Sequence, residues 1–241
     1  MLSLNRPLIS LRSLIRNFRN IVGLIPAAGQ ASRIAPLPCS KELFPIGFRD
    51  VKGKRGRDVK VVSHYVLEKL SAAGVRRAYI VLREGKWDIP KYFGDGSALE
   101  MHLACLTMGV PDGPPYTLNQ ACPFIEQSFV AFGFPDILFR PDDAFVQLFA
   151  RQGATRADLV LRLFQAHNSC EMDMVETAPI GVVRSIQIKP PVNGWNTHGL
   201  FRRGARSLPT SCVDFLAVLR WGRSEGRVFR QRGNLKYQLV R

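Results

Sequence analysis

Apolar residues along the chain fall into two spacings. Short unbroken runs, VGLIPA at 22–27, RAYIVL at 77–82 and SFVAF at 128–132, read as strands buried on both faces. The segment VVSHYVLEKLSAAG instead places Val62, Tyr65, Val66, Lys69 and Leu70 near one face of a helix that stops at Gly74. Strand, helix and strand make a βαβ unit, which predicts an α/β fold with a mainly parallel sheet, flanking helices and a right-handed crossover. Beyond it the pattern predicts a helix over 98–108, a VPDGPP turn and a short strand over 116–119. A helix over 142–151 has Asp142 and Asp143 in its first turn and Phe145, Leu148 and Phe149 on one side. A further strand is expected over 158–166. After about residue 165 the chain shortens into strands and turns: GVVRSIQIK, the PPVNG turn, a weaker run over 195–201 and a closing helix over 212–221.

With 46% hydrophobic and 22% charged residues in 241, the composition excludes a disordered chain and leaves room for one sizeable core. The formal charge of +15 calls for anionic partners, among them nucleotides, sugar phosphates, nucleic acids and membrane surfaces. No basic helix interleaved with aromatics is present, so no specific nucleic acid is expected. The cysteines Cys39, Cys105, Cys122, Cys170 and Cys212 are scattered and never spaced CxxC. That spacing excludes a disulfide framework or zinc knuckle and favours a cytoplasmic protein. No HExxH pair and no bilayer-length apolar run occurs. Residues 1–20 carry Arg6, Arg12, Arg16 and Arg19, no acid, and apolar residues at helical spacing, as organelle-targeting and membrane-surface helices do. The favoured reading is a basic extension, with membrane contact through it the less favoured one.

In an open α/β sheet, ligands bind beyond the carboxyl ends of the strands. The first strand runs into AAGQASR at that position. Ala27, Ala28, Gly29, Ala31 and Ser32 are small enough for main-chain N–H groups to approach an anion closely. Arg33 adds a multidentate cation and Lys41 a second one, while Pro36 and Pro38 exclude a continuous helix between them. Both charges can then meet on one polyphosphate; a glycine-containing turn with two solvated cations is the plainer alternative. Asp136 comes after the strand at 128–132 and the kink Gly133-Phe134-Pro135, which brings a hard carboxylate suited to Mg²⁺ to the same strand-end surface; a helix-capping or turn aspartate is the plainer alternative. Gly85, Lys86 and Trp87 read equally as a solvated turn or as a nucleotide contact.

The run AAGQASRIAPLPCSKELFPIG resembles the signature of sugar-1-phosphate nucleotidyltransferases, in particular the glucose-1-phosphate thymidylyltransferase branch. The likeness continues through KVVSHYVLEKLSAAGVRRAYIVLREGKWDIPKYFGDGS and FVAFGFPDILF and covers most of residues 21–190. It implies a single Rossmann-like nucleotidyltransferase domain over 21–241: a nucleotide-binding part, 21–165, and a shortened, β-rich sugar-phosphate-facing part, 166–241. In that family the residues matching Arg33 and Lys41 act on the triphosphate. Ala27, Ala28, Gly29 and Ser32 line it, and Gln120 matches a glutamine that reads the base. Asp136 matches the metal-binding aspartate, and Lys189, in IKPP, matches a lysine on the phosphate of the sugar. Departures are Gln30 and Ala31 where glycines are usual, Ser40 where proline is common, and Ile125 where glycine is expected. No late segment matches a second metal-binding aspartate, and Asp214 reads as an ordinary helix residue.

The resemblance implies that a nucleoside triphosphate, dTTP or UTP, condenses with a hexose 1-phosphate, with Mg²⁺ as cofactor. A homo-oligomer is compatible with the sequence. Rival readings are transfer to another phosphorylated acceptor and a non-catalytic nucleotide or sugar-nucleotide sensor.

Overall fold

The computed structural model describes residues 20–50, 56–109, 113–165, 173–178, 181–187, 211–212, 216–220 and 237–240. Lys189, Asp214, the extension 1–19 and the run over 195–201 lie outside the described residues. In chain order the elements are β1 (Ile21–Pro26), β2 (Pro45–Asp50), β3 (Arg57–Val61), α1 (Val62–Ala72), β4 (Arg77–Arg83), α2 (Asp88–Phe93) and β5 (His102–Met108). They continue with α3 (Gly113–Asn119), β6 (Phe129–Gly133), α4 (Ala144–Thr155), β7 (Leu159–Arg162), β8 (Phe164–Gln165), β9 (Met174–Thr177) and β10 (Val183–Gln187). The last are β11 (Ser211–Cys212), β12 (Leu216–Arg220) and β13 (Tyr237–Val240).

A seven-stranded sheet runs β13-β7-β12-β6-β1-β4-β5. Its β6, β1, β4 and β5 are mutually parallel, β12 is antiparallel to both β6 and β7, and β13 is parallel to β7. The expected α/β class with a parallel centre is therefore what the chain adopts. Alternation along β1 supplies both sides of the core. Ile21 and Ile25 join Val66, Leu67 and Leu70 of α1 and Phe145, Leu148 and Phe149 of α4. Val22 and Leu24 join Val81, Leu118, Ile125 and Val130. A parallel sheet covered on both faces requires such continuous apolar strands. Helix α1 ends as expected: Gly74, at φ 88°, lets Val75 N–H turn back to the Leu70 carbonyl at 3.0 Å.

Several elements differ from the sequence reading. Residues 102–108 form the edge strand β5, not a helix, because the ladder to β4, Arg77 opposite His102 through Arg83 opposite Met108, outweighs the helix preference of Ala, Leu and Met. The expected strand at 116–119 is helix α3, which accommodates Pro114 and Pro115 in its first turn, where no N–H is needed. The expected closing helix at 212–221 is replaced, in its described residues, by the end of β11 and by β12. The strand expected over 158–166 breaks at buried Leu163 into β7 of the main sheet and β8 of a smaller antiparallel sheet, β10-β9-β11-β8.

Candidate functional site

Parallel strands β1 and β6 end on the same side of the sheet, so the segments after them emerge together. Ala27 and Ala28 are still buried, and Ala27 N–H is donated to the Val81 carbonyl at 2.8 Å. The loop opens to solvent at Gly29. A turn closed by Ile34 N–H on the Ala31 carbonyl, 3.0 Å, leaves Ser32 and Arg33 exposed at its tip. Ala31 itself sits at φ 57°. That is the left-handed region, which explains why glycine is usual at this point of the motif.

The chain then returns through a 3-10 turn, Lys41–Leu43, that aims Lys41 back at the loop. Lys41 Nζ lies 2.7 Å from Asp136 Oδ2, and both side chains are partly open to solvent, 25% and 32% exposed. The end of the same side chain lies beside Gly29, where an added Cβ would stand 3.7 Å from both Cε and Nζ. Residues from the first loop, the next turn and the end of β6 thus converge on one point. Of the sequence-predicted site residues the structure brings Lys41 and Asp136 into contact, places Gly29 beside Lys41 and sets Ser32 and Arg33 on the adjoining loop. Gln120 lies just beyond α3, with its amide Nε2 3.5 Å from the carbonyl of Tyr116. Ile125 is fully buried among the core residues beneath α3, which is a packing reason for its size.

Two supports of this site were not visible in the sequence. Ser40, where proline is common, donates both its N–H and its hydroxyl to the Asp88 carboxylate, each at 2.7 Å. Burial disfavours the charged form of Asp88, but the two Ser40 bonds together with the backbone N–H groups of Asp88 and Ile89 outweigh it and hold the pKa below its ordinary value. Lys86 is buried rather than solvated: its Nζ meets both carboxylate oxygens of buried Glu42 at 2.7 Å. This corrects the reading of residues 85–87 as a solvated turn, which holds only for Gly85 and exposed Trp87. Burial lowers the Lys86 pKa, with Lys41 and Arg83 acting in the same direction and Glu42 against it. No motif marks such a pair, because its members are 44 residues apart.

The described residues contain no cluster of three His, Cys, Asp or Glu able to enclose a metal ion. Asp136 offers a hard carboxylate, which suits a cation that takes other ligands from phosphate and water. A separate cavity of about 560 Å³ lies between α1 and the segment after Asp136, lined by Lys60, Tyr65, Lys69, Phe139 and Arg140 among others. Neither Lys41 nor Asp136 lines it. No described helix is long and apolar enough to cross a membrane.

Neither a family model nor a curated protein matches the chain. Among solved structures the chain is similar to a Bacillus anthracis protein provisionally assigned as a glucose-1-phosphate thymidylyltransferase and solved in complex with sucrose. The match has 16% identity and a TM-score of 0.66 and covers 87% of this chain and 73% of that one. At that identity the likeness establishes the α/β fold that the two chains share.

Proposed function

We propose that the chain is a sugar-1-phosphate nucleotidyltransferase that condenses a nucleoside triphosphate, dTTP or UTP, with a hexose 1-phosphate to give a nucleoside diphosphate sugar and pyrophosphate. The observation that carries this reading is the meeting of Lys41 with Asp136 and Gly29 at the strand-end surface of the parallel sheet. The structural neighbour's assignment is consistent with it. A phosphate oxygen of the sugar phosphate attacks the α-phosphorus in line, the bond to the bridging β-phosphate oxygen breaks, and pyrophosphate leaves with that electron pair. The attacking group is already anionic, so positioning and charge neutralisation suffice and no side-chain nucleophile is required. Arg33 and Lys41 neutralise the triphosphate and the leaving pyrophosphate. Exposed amides from Gly29 onward cradle its oxygens. Asp136 is the residue that would hold Mg²⁺, which when bound supplies charge neutralisation between phosphate oxygens. Residues 166–241, with Lys189, supply the sugar-phosphate side, and Gln120 the base contact.

The test is pyrophosphate release across a panel of triphosphates and sugar phosphates with Mg²⁺. Arg33→Ala is expected to lower kcat by about 100-fold with a smaller change in sugar-phosphate KM, because it acts on developing charge. Unchanged turnover removes Arg33 from the chemistry. Asp136→Asn is expected to raise the Mg²⁺ concentration for half-maximal rate by about tenfold; a parental metal response dismisses the metal assignment. A second reading, a non-catalytic nucleotide sensor, draws on Ile125 where the resembled signature has glycine and on the lack of a late segment matching a second metal-binding aspartate. Nucleotide binding without pyrophosphate release anywhere in the panel selects it.

A further inference from the structure

Lys41 is tied down on both sides. Before it, Ser40 gives its N–H and hydroxyl to Asp88; after it, the Glu42 carboxylate takes Lys86 Nζ on both oxygens. The Glu42 carbonyl also accepts the buried Ser63 hydroxyl at 2.6 Å, and Leu43 N–H closes the turn on the Ser40 carbonyl at 2.8 Å. Both side-chain ties reach one short segment after β4, in which Lys86 N–H binds the Arg83 carbonyl and Ile89 N–H the Lys86 carbonyl. Stability is a poor reason for a buried pair of this kind. Desolvation costs several kcal/mol per ion, and apolar residues of similar volume are commonly as stable or more so. What the pair does achieve is geometric, since Glu42 is the immediate neighbour of the residue that reaches Gly29 and Asp136.

We propose that Glu42–Lys86 is a positioning pair for Lys41. It locks the Lys41–Leu43 turn onto the segment after β4 and so holds the Lys41 ammonium over Gly29 and against Asp136, without either partner touching substrate. The proposal rests on the reading of Lys41 as a triphosphate-facing cation, and its test separates the two.

The full chain carrying Glu42→Leu with Lys86→Met, which leaves no orphaned charge, is compared with the parent chain by two readouts. One is the rate at which trace acetic anhydride acylates Lys41, measured by peptide mass spectrometry without nucleotide. The other is pyrophosphate release from dTTP or UTP with glucose 1-phosphate. The double variant is expected to melt at or above the parental temperature, to acylate Lys41 severalfold faster, and to lose about 10- to 100-fold in kcat with a smaller change in triphosphate KM. A folded double variant with parental Lys41 acylation overturns the positioning role, whatever its activity. A parent chain that releases no pyrophosphate, beside a variant with faster acylation, overturns the proposed function and leaves the positioning pair standing. Should the double variant unfold, Glu42→Gln, which removes the charge and keeps an acceptor, carries the same two readouts with the same deciding outcomes.

Discussion

Ala31 shows how one torsion angle bears on the loop. At φ 57° its Cβ crowds the neighbouring carbonyl, a strain of roughly 1–2 kcal/mol that glycine does not incur. Ala31→Gly is expected to stabilise the chain by about 1 kcal/mol after the extra freedom of glycine in the unfolded state is subtracted. The readout is a higher urea midpoint at an unchanged m-value; a lower midpoint shows that the loop does not hold this torsion. Ser40 is the counterpart, standing where the signature that this run resembles commonly has proline. Proline would supply neither the N–H nor the hydroxyl that Asp88 receives. His64 carries a pH dependence. It is buried against Tyr92 and Phe93, its Nδ1 has no partner, and burial, with Arg49 and Lys60 adding to it, lowers its pKa to about 4. The folded pKa lies below the unfolded 6.5, so the unfolded chain binds the proton more readily. The contribution is complete above pH 6.5 and is lost as the pH falls toward 4, by roughly 2 kcal/mol between pH 7 and 5. Asp88, Asp95 and Asp142 are lowered from 3.8 and act only below that value. His64→Phe is therefore expected to flatten the stability profile between pH 7 and 5, and an unaltered slope in denaturation at the two pH values would assign it elsewhere.

Among elements, those whose side chains are buried on a regular period were legible: β1, β4, β6, α1 and α4 all stand within a few residues of their expected places. Those decided by neighbours were not. β5 is an edge strand written in helix-forming residues, and β12 is placed by pairing between β6 and β7, which a single run of apolar residues cannot announce. The same division holds for the candidate site. Gly29, Lys41 and Asp136 could be grouped in advance because strand ends and loop chemistry point to one surface. Glu42 and Lys86 could not, since burial of a charge depends on what folds over it. Contact between elements also sets Gly23. A Cβ there would stand 2.8 Å from Ala78 Cβ across the β1–β4 ladder and 3.3 Å from Leu70 Cδ1 of α1. Gly23→Ala is expected to cost about 2–3 kcal/mol by overpacking. Adding Ala78→Gly should recover most of that loss in thermal melts, and failure to recover it would place the strain outside this contact.

At the scale of the whole molecule the dominant property is the charge of +15. A field of that sign gathers anions toward the protein, whereas the roles proposed for Arg33 and Lys41 operate at contact distance on a docked triphosphate. Salt separates these effects. The screening length falls from about 30 Å at 0.01 M to about 10 Å at 0.1 M, so the long-range field fades while contact interactions in a partly desolvated site persist. If the proposed activity holds, raising salt over this range at fixed free Mg²⁺ should increase the triphosphate KM severalfold and leave kcat nearly unchanged. Arg33→Ala should show the opposite signature, a lowered kcat at every salt concentration with a similar salt dependence of KM. Initial rates of pyrophosphate release across the series distinguish the two. A KM indifferent to salt would mean that the excess charge lies away from the approach to Lys41 and Asp136, and that this surface recruits its anion by local contacts alone.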